Sequence, residues 1–181
     1  MTGNDPAAIT TMRHALAECA RALAQNPGLS GSQILGRGRE LLARKKALNL
    51  EGLFSTPPAL MTATLDDGIG QGLTVIHCFA ELAGLQLISL GLMQTPETIV
   101  TECRRQQPDI LGLTVLHDDT EEMLCADIIP QLPKNTRVIV GGPVFAALGQ
   151  KTLAEKPYRV LNNIGLFLNY LLDLNEKGGL S

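Results

Sequence analysis

Residues 110–116 read ILGLTVL, an apolar run interrupted only by Gly112 and Thr114. A strand with one wet face alternates apolar with polar, whereas one covered on both faces does not. The run therefore predicts a strand at the centre of a parallel sheet. Its neighbours fit that reading. Upstream, Thr95-Pro96-Glu97 places a cap residue, a proline at the first helical position and an acid in the first turn, and Ile99, Val100 and Cys103 then form one apolar stripe. Before that helix lie a strand over Leu85–Leu90, a helix with Leu73, Ile76, Phe79 and Ala83 inward, and a first strand over Met61–Leu65. Downstream, Asp119-x-x-Glu122 is a capping-box variant that predicts the start of the next helix. Strands follow over Arg137–Val140 and roughly Tyr158–Leu161, and a last helix carries Ile164, Leu168, Leu171 and Asn175, with Phe167 and Leu172 widening its stripe.

Alternating strands and helices with connections of this length predict an α/β fold: a doubly wound five-stranded parallel sheet, either flavodoxin-like or a truncated dinucleotide-binding type. A small helical module precedes it. Met12, Leu16, Cys19 and Leu23 recur at helical spacing up to Asn26-Pro27-Gly28, and Ile34, Leu41 and Leu48 repeat at seven. Gly36 and Gly38 weaken this second helix by about 1 kcal/mol each relative to alanine. Arg44-Lys45-Lys46 reads as its solvated face, and Phe54–Pro58 as the connector. The expected organisation is a helical module over 1–55 and an α/β domain over 56–181.

Composition narrows the function. Of 181 residues, 45% are hydrophobic and 18% charged, enough apolar side chain for a packed core. Aromatics are 3% with no Trp and the net charge is −3, which disfavours a nucleic-acid reader that needs stacking platforms and cations. The charge is uneven: residues 1–55 hold seven Lys/Arg against four Asp/Glu, the remainder eight against fourteen. Cys19, Cys78, Cys103 and Cys125 lack metal or disulfide spacing and read as reduced, buried thiols. No apolar run reaches the ~18 residues of a membrane span, so a soluble, cytoplasmic protein is expected.

In sheets of this type ligands bind beyond the carboxyl ends of the strands. Three unusual segments fall there: Asp66–Gly72, Thr114–Asp119 and Gly141-Gly142-Pro143. Gly68-x-Gly70-x-Gly72 imitates a dinucleotide loop, but the glycine required three residues after Gly70 is Leu73, and strand two ends Ser89-Leu90-Gly91 without a ribose-binding acid. Asp66 and Asp67 suit a phosphorelay receiver, yet the acid that such a site needs after strand three is replaced by Leu116-His117.

The same segments resemble the cobalamin (vitamin B12)-binding domain family, which carries Asp-x-His-x-x-Gly after strand one, Ser-x-Leu after strand three and Gly-Gly after strand four. The counterparts are Asp67-x-Ile69-x-x-Gly72, Thr114-x-Leu116 and Gly141-Gly142, with 41 residues between Gly72 and Thr114 and 24 between Leu116 and Gly141. Leu90-Gly91, Met93, Glu97 and Pro108–Leu113 run in register as well. The resemblance spans about residues 60–145 and implies cobalamin or a related corrinoid as cofactor, with Asp67, Gly68, Ile69, Gly72, Thr114, Val115, Leu116, His117, Gly141 and Gly142 as binding residues.

One position departs from the pattern. In the family the motif His reaches cobalt, with the Asp and Ser behind it tuning its basicity; Ile69 has no lone pair and leaves Asp67 without that task. The resemblance then implies a corrinoid held without a motif His ligand and with no protein metal ligand assigned, a methyl-group carrier for partner methyltransferase or reductase proteins. Homo-oligomers are compatible with this reading, and neither nucleic acid nor membrane is expected as a partner. The rival reading is a non-enzymatic sensor or interaction module that has lost cobalamin or binds another tetrapyrrole through His117.

Overall fold

A computed structural model describes residues 5–26, 28–66, 71–142, 144–145 and 156–176. Asp67, Gly68, Ile69, Gly70 and Pro143 lie outside the described residues. By internal contacts the chain forms two compact units, one of residues 1–58, 71–86 and 163–181, the other of 59–70 and 87–162.

The second unit carries the strands. β1 (Ala59–Thr64), β2 (Gln86–Gly91, its first residue in the other unit), β3 (Ile110–Thr114), β4 (Arg137–Gly141) and β5 (Arg159–Val160) form one parallel sheet in the order β2-β1-β3-β4-β5. This is the flavodoxin-like α/β arrangement, and β3 sits at its centre as its apolar run requires. Register is continuous across the middle of the sheet: Leu60, Ile110 and Arg137 share one row, and Thr64, Thr114 and Gly141 share the last.

On one face Met61, Ala63, Leu111, Leu113, Val115, Val138 and Val140 pack in a single core with Ile99, Val100 and Cys103 of α4 (Pro96–Gln106) and with Leu124 and Ile128. Each such aliphatic side chain contributes about 1.5–3 kcal/mol on burial. α4 begins as its sequence predicts, with Thr95 Oγ1 accepting the Thr98 N–H at 3.2 Å. At the amino edge of the sheet, Asp109 Oδ2 accepts the Ala59 N–H at 2.7 Å and the Asp109 carbonyl accepts the Arg137 N–H at 2.9 Å, joining β1, β3 and β4.

The helix after β3 corrects the capping-box expectation. α5 (Asp118–Met123) starts earlier, its cap position is His117, and no side-chain cap bond forms; Asp119 lies inside the helix. From Leu124 to Ile128 it widens into a π-type turn and then tightens through Ile129–Gln131, where Pro130 cannot continue the ladder.

The first unit is helical. α1 (Pro6–Gln25) is capped by Asp5, whose side chain accepts the Ala7 N–H, and it buries Met12, Leu16 and Leu23 along α6 (Ile164–Glu176). α2 (Gly31–Ala47) starts at a Ser30/Gln33 capping box and packs on α3 (Gln71–Ala83). Gly38 faces α3 closely: a Cβ there would stand 2.7 Å from Cys78 Sγ and 3.4 Å from the Phe79 ring, so a larger residue would require Cys78 to shift. The glycine that weakens α2 as an isolated helix thus lies where α2 meets Cys78 and Phe79 of α3. Asn175 on α6 accepts from Arg13 and donates to the Leu53 carbonyl at 2.6 Å, tying the last helix to α1 and to the residue just before the connector.

Candidate functional site

The carboxyl ends of β1, β3 and β4 are hydrogen-bonded neighbours, so the segments after them share one rim. Thr114 closes β3, half-buried, in the same row as the buried Thr64 and the half-buried Gly141. Beyond it Val115 is buried, Leu116 half-buried and His117 exposed. The β3 and β4 segments are locked together by backbone: Val115 donates its N–H to the Gly141 carbonyl at 2.9 Å. At Gly142, with φ +143°, an added Cβ would lie 1.8 Å from the Val115 carbonyl oxygen. Contact between two stretches of this chain therefore already requires glycine at 142.

Gly72 belongs to the first unit. It lies in the first turn of α3, exposed, and among the described residues beyond its own turn no atom comes within 4 Å of the place a Cβ would occupy.

The β1 side of the rim is joined by side chains, through residues absent from the motif reading. Asp66 Oδ2 accepts the Leu116 N–H and Asp66 Oδ1 accepts the Thr120 hydroxyl, each at 2.7 Å. Thr64 Oγ1 donates to the Asp66 carbonyl at 2.8 Å and accepts the Met93 N–H at 3.1 Å, while the Thr64 carbonyl accepts the Gln94 N–H at 2.7 Å. These bonds hold Met93 at φ +54°, a left-handed backbone that costs a β-carbon residue of order 1 kcal/mol, with its side chain 67% exposed. Leu92 beside it is 40% exposed. The Asp66-Asp67 doublet was visible in sequence, but that Asp66 bonds to partners 50 and 54 residues away was not.

Next to Thr120 on α5, Glu121 accepts from Lys156 and from the Tyr158 hydroxyl. The Lys156 hydrogen bond, then that of Tyr158, holds the Glu121 carboxyl below its usual range, and burial followed by the Glu121 contact pushes the Tyr158 hydroxyl up. Burial also raises the Cys103 thiol to about 11, beside Met61 Sδ at 3.5 Å. Among the described residues no three His, Cys, Asp or Glu side chains are grouped to hold a metal ion.

A family model described as B12 binding domain matches residues 58–161, which takes in all five strands. The chain belongs to the B12-binding domain family. Its cofactor is cobalamin or a related corrinoid. Two solved structures share the fold of this B12-binding chain. A cobalamin-binding protein from Desulfitobacterium hafniense aligns over 90% of this chain and 78% of its own, at 17% identity and TM-score 0.66. The monomethylamine corrinoid protein of Methanosarcina barkeri aligns over 91% of this chain and 96% of its own, at 17% identity and TM-score 0.51. No curated protein matches the sequence. Among the described residues, no helix is long and apolar enough to cross a membrane.

Proposed function

We propose that this B12-binding chain is a methyl-group carrier for partner methyltransferases, and that it holds its corrinoid without a nitrogen ligand from the motif, where Ile69 stands. In this reading residues 56–181 carry the cofactor and residues 1–55 are an accessory helical module. The observation that carries it is a coincidence: the family match spans the whole sheet, and the motif segments follow three strands that are adjacent in the order β1-β3-β4. The solved corrinoid protein of similar fold and nearly full mutual coverage adds support.

The described residues suit a large, flat, mostly apolar ring with amides at its edge. Thr64, Thr114 and Gly141 form a terminal row of small neutral residues with no charge to desolvate. Leu92 and Met93 are exposed after β2, and Leu116 is half-buried after β3. When bound, the corrinoid supplies a cobalt centre that accepts and donates a one-carbon group; the protein supplies position and shielding. Thr114 offers a hydroxyl to a polar edge or tail of the ligand, and Val115, Leu116 and the paired glycines Gly141 and Gly142 complete the β3–β4 side. Asp67, Gly68 and Ile69 are assigned to the β1 side. Partner methyltransferase or reductase proteins then provide donor, acceptor and electrons.

The test is reconstitution with hydroxocobalamin. The protein should keep its colour through gel filtration, and Ile69→His should add nitrogen hyperfine splitting to the Co(II) EPR spectrum. A colourless protein defeats the reading. His117→Ala should leave the visible spectrum unchanged; a changed spectrum would make His117 the ligand instead.

A further inference from the structure

We infer that Asp66 is a positioning residue of the corrinoid site: its carboxylate clamps the turn Val115–Thr120 to the end of β1 and so sets the spacing of the two loops that flank the cofactor. The inference rests on the corrinoid reading and goes past it, because Asp66 precedes the motif acid Asp67 and occupies no position of the family pattern.

Both carboxylate oxygens are engaged, one by the Leu116 N–H and one by the Thr120 hydroxyl, each at 2.7 Å. The donors lie 50 and 54 residues further along the chain, so the bonds join two loops and do not merely shape one turn. Hydrogen bonds to an ionised carboxylate are about twice as strong as neutral ones, and two on one group fix its orientation. Thr120 is buried at 6% exposure, within the first turn of α5, so the same carboxylate also sets where that helix leaves the rim.

The turn is held from its other side too. Val115 donates to the Gly141 carbonyl, and its own carbonyl lies against Gly142. Leu116 and His117 thus sit between a backbone lock to β4 and a carboxylate lock to β1. The first lock leaves no latitude, since it is steric. The second depends on one side chain, which makes Asp66 the residue whose replacement changes the rim while leaving the core facing α4 untouched.

Three variants separate a clamp from a charge. Asp66→Asn keeps an acceptor for the Leu116 N–H, and its amide donates to Thr120 once that hydroxyl turns. Asp66→Ala keeps neither bond, and Thr120→Val removes one. Each is read by hydroxocobalamin titration with the visible spectrum, and by amide hydrogen exchange over Val115–Thr120 in the cofactor-free protein, with far-UV circular dichroism as the check on folding.

In Asp66→Ala the Leu116 amide should exchange at least about tenfold faster, corrinoid affinity should fall about tenfold and the bound spectrum should shift. Asp66→Asn should stay within about threefold of the parent in both measurements, and Thr120→Val should fall between. Equal affinity and equal protection in Asp66→Ala would overturn the inference. So would an Asp66→Asn variant as impaired as the alanine, because the charge and not the clamp would then be responsible. If Asp66→Ala does not fold, Thr120→Val decides: parent-like affinity and protection would overturn the clamp. A parent protein that takes up no corrinoid, yet loses Leu116 protection in Asp66→Ala, would overturn the corrinoid reading while supporting the clamp.

Discussion

The amino and carboxyl edges of the sheet use the same device to different ends. At the amino edge, Asp109 takes a backbone N–H of β1 on its side chain and one of β4 on its carbonyl. At the carboxyl edge, Asp66 takes a backbone N–H and a hydroxyl from the β3–α5 segment. The amino edge is ordinary in its backbone: the left-handed residues before β2 and β3, Gly84 and Gln107, end α3 and α4. The carboxyl edge instead carries left-handed Gly91, Met93 and Gly142, which end no helix, together with exposed Leu92, Met93 and His117. At the amino edge the bonds of Asp109 join three strands. The other edge carries one strained non-glycine residue, Met93, and exposed apolar side chains at Leu92 and Met93, features that often accompany a binding rim.

The largest expected effect is at Gly142. Gly142→Ala should lose about 3 kcal/mol of stability, or roughly 6–12 °C in Tm, because the new methyl group meets the Val115 carbonyl in a backbone conformation that alanine resists. Thermal unfolding followed by circular dichroism reads it. A change below about 1 kcal/mol would show that the β3–β4 lock is looser than its geometry, and that glycine at 142 serves a ligand after all.

Asp109→Ala should cost about 2 kcal/mol in urea unfolding by stranding the Ala59 N–H, with hydroxocobalamin affinity per folded molecule unchanged. This sharpens the contrast between the edges. An affinity that fell as far as in Asp66→Ala would break it.

Gly72→Ala should be the mildest. Among the described residues beyond its own turn the Cβ meets nothing within 4 Å, and helix propensity rises, so stability should change by less than about 1 kcal/mol, and in the favourable direction. Any loss of corrinoid uptake in this variant would then report on the ligand and not on the fold, the opposite of Gly142→Ala.

Much of this was legible in residue order. The apolar 110–116 run identified the central strand because both its faces are covered, and the Thr95-Pro96-Glu97 start of α4 was readable because a helix cap is a local contact. The helix begins at Asp118, ahead of the Asp119 capping box, in a segment where Leu116 and Thr120 both bond to Asp66, contacts that no window of a few residues contains. Gly38 shows the same divide: its cost to an isolated helix is local and readable, whereas its nearness to Cys78 and Phe79 is not.

By itself the order of amino acids determined the strands, the helices, the sheet class and the family motifs, since periodicity, capping and spacing act over a few residues or along one chain direction. Only the tertiary structure decided that Gly142 is crowded against Val115, and that Asp66 reaches across the rim to Leu116 and Thr120. Those outcomes depend on distances between segments some 25 to 50 residues apart, and such distances exist only once the sheet has closed.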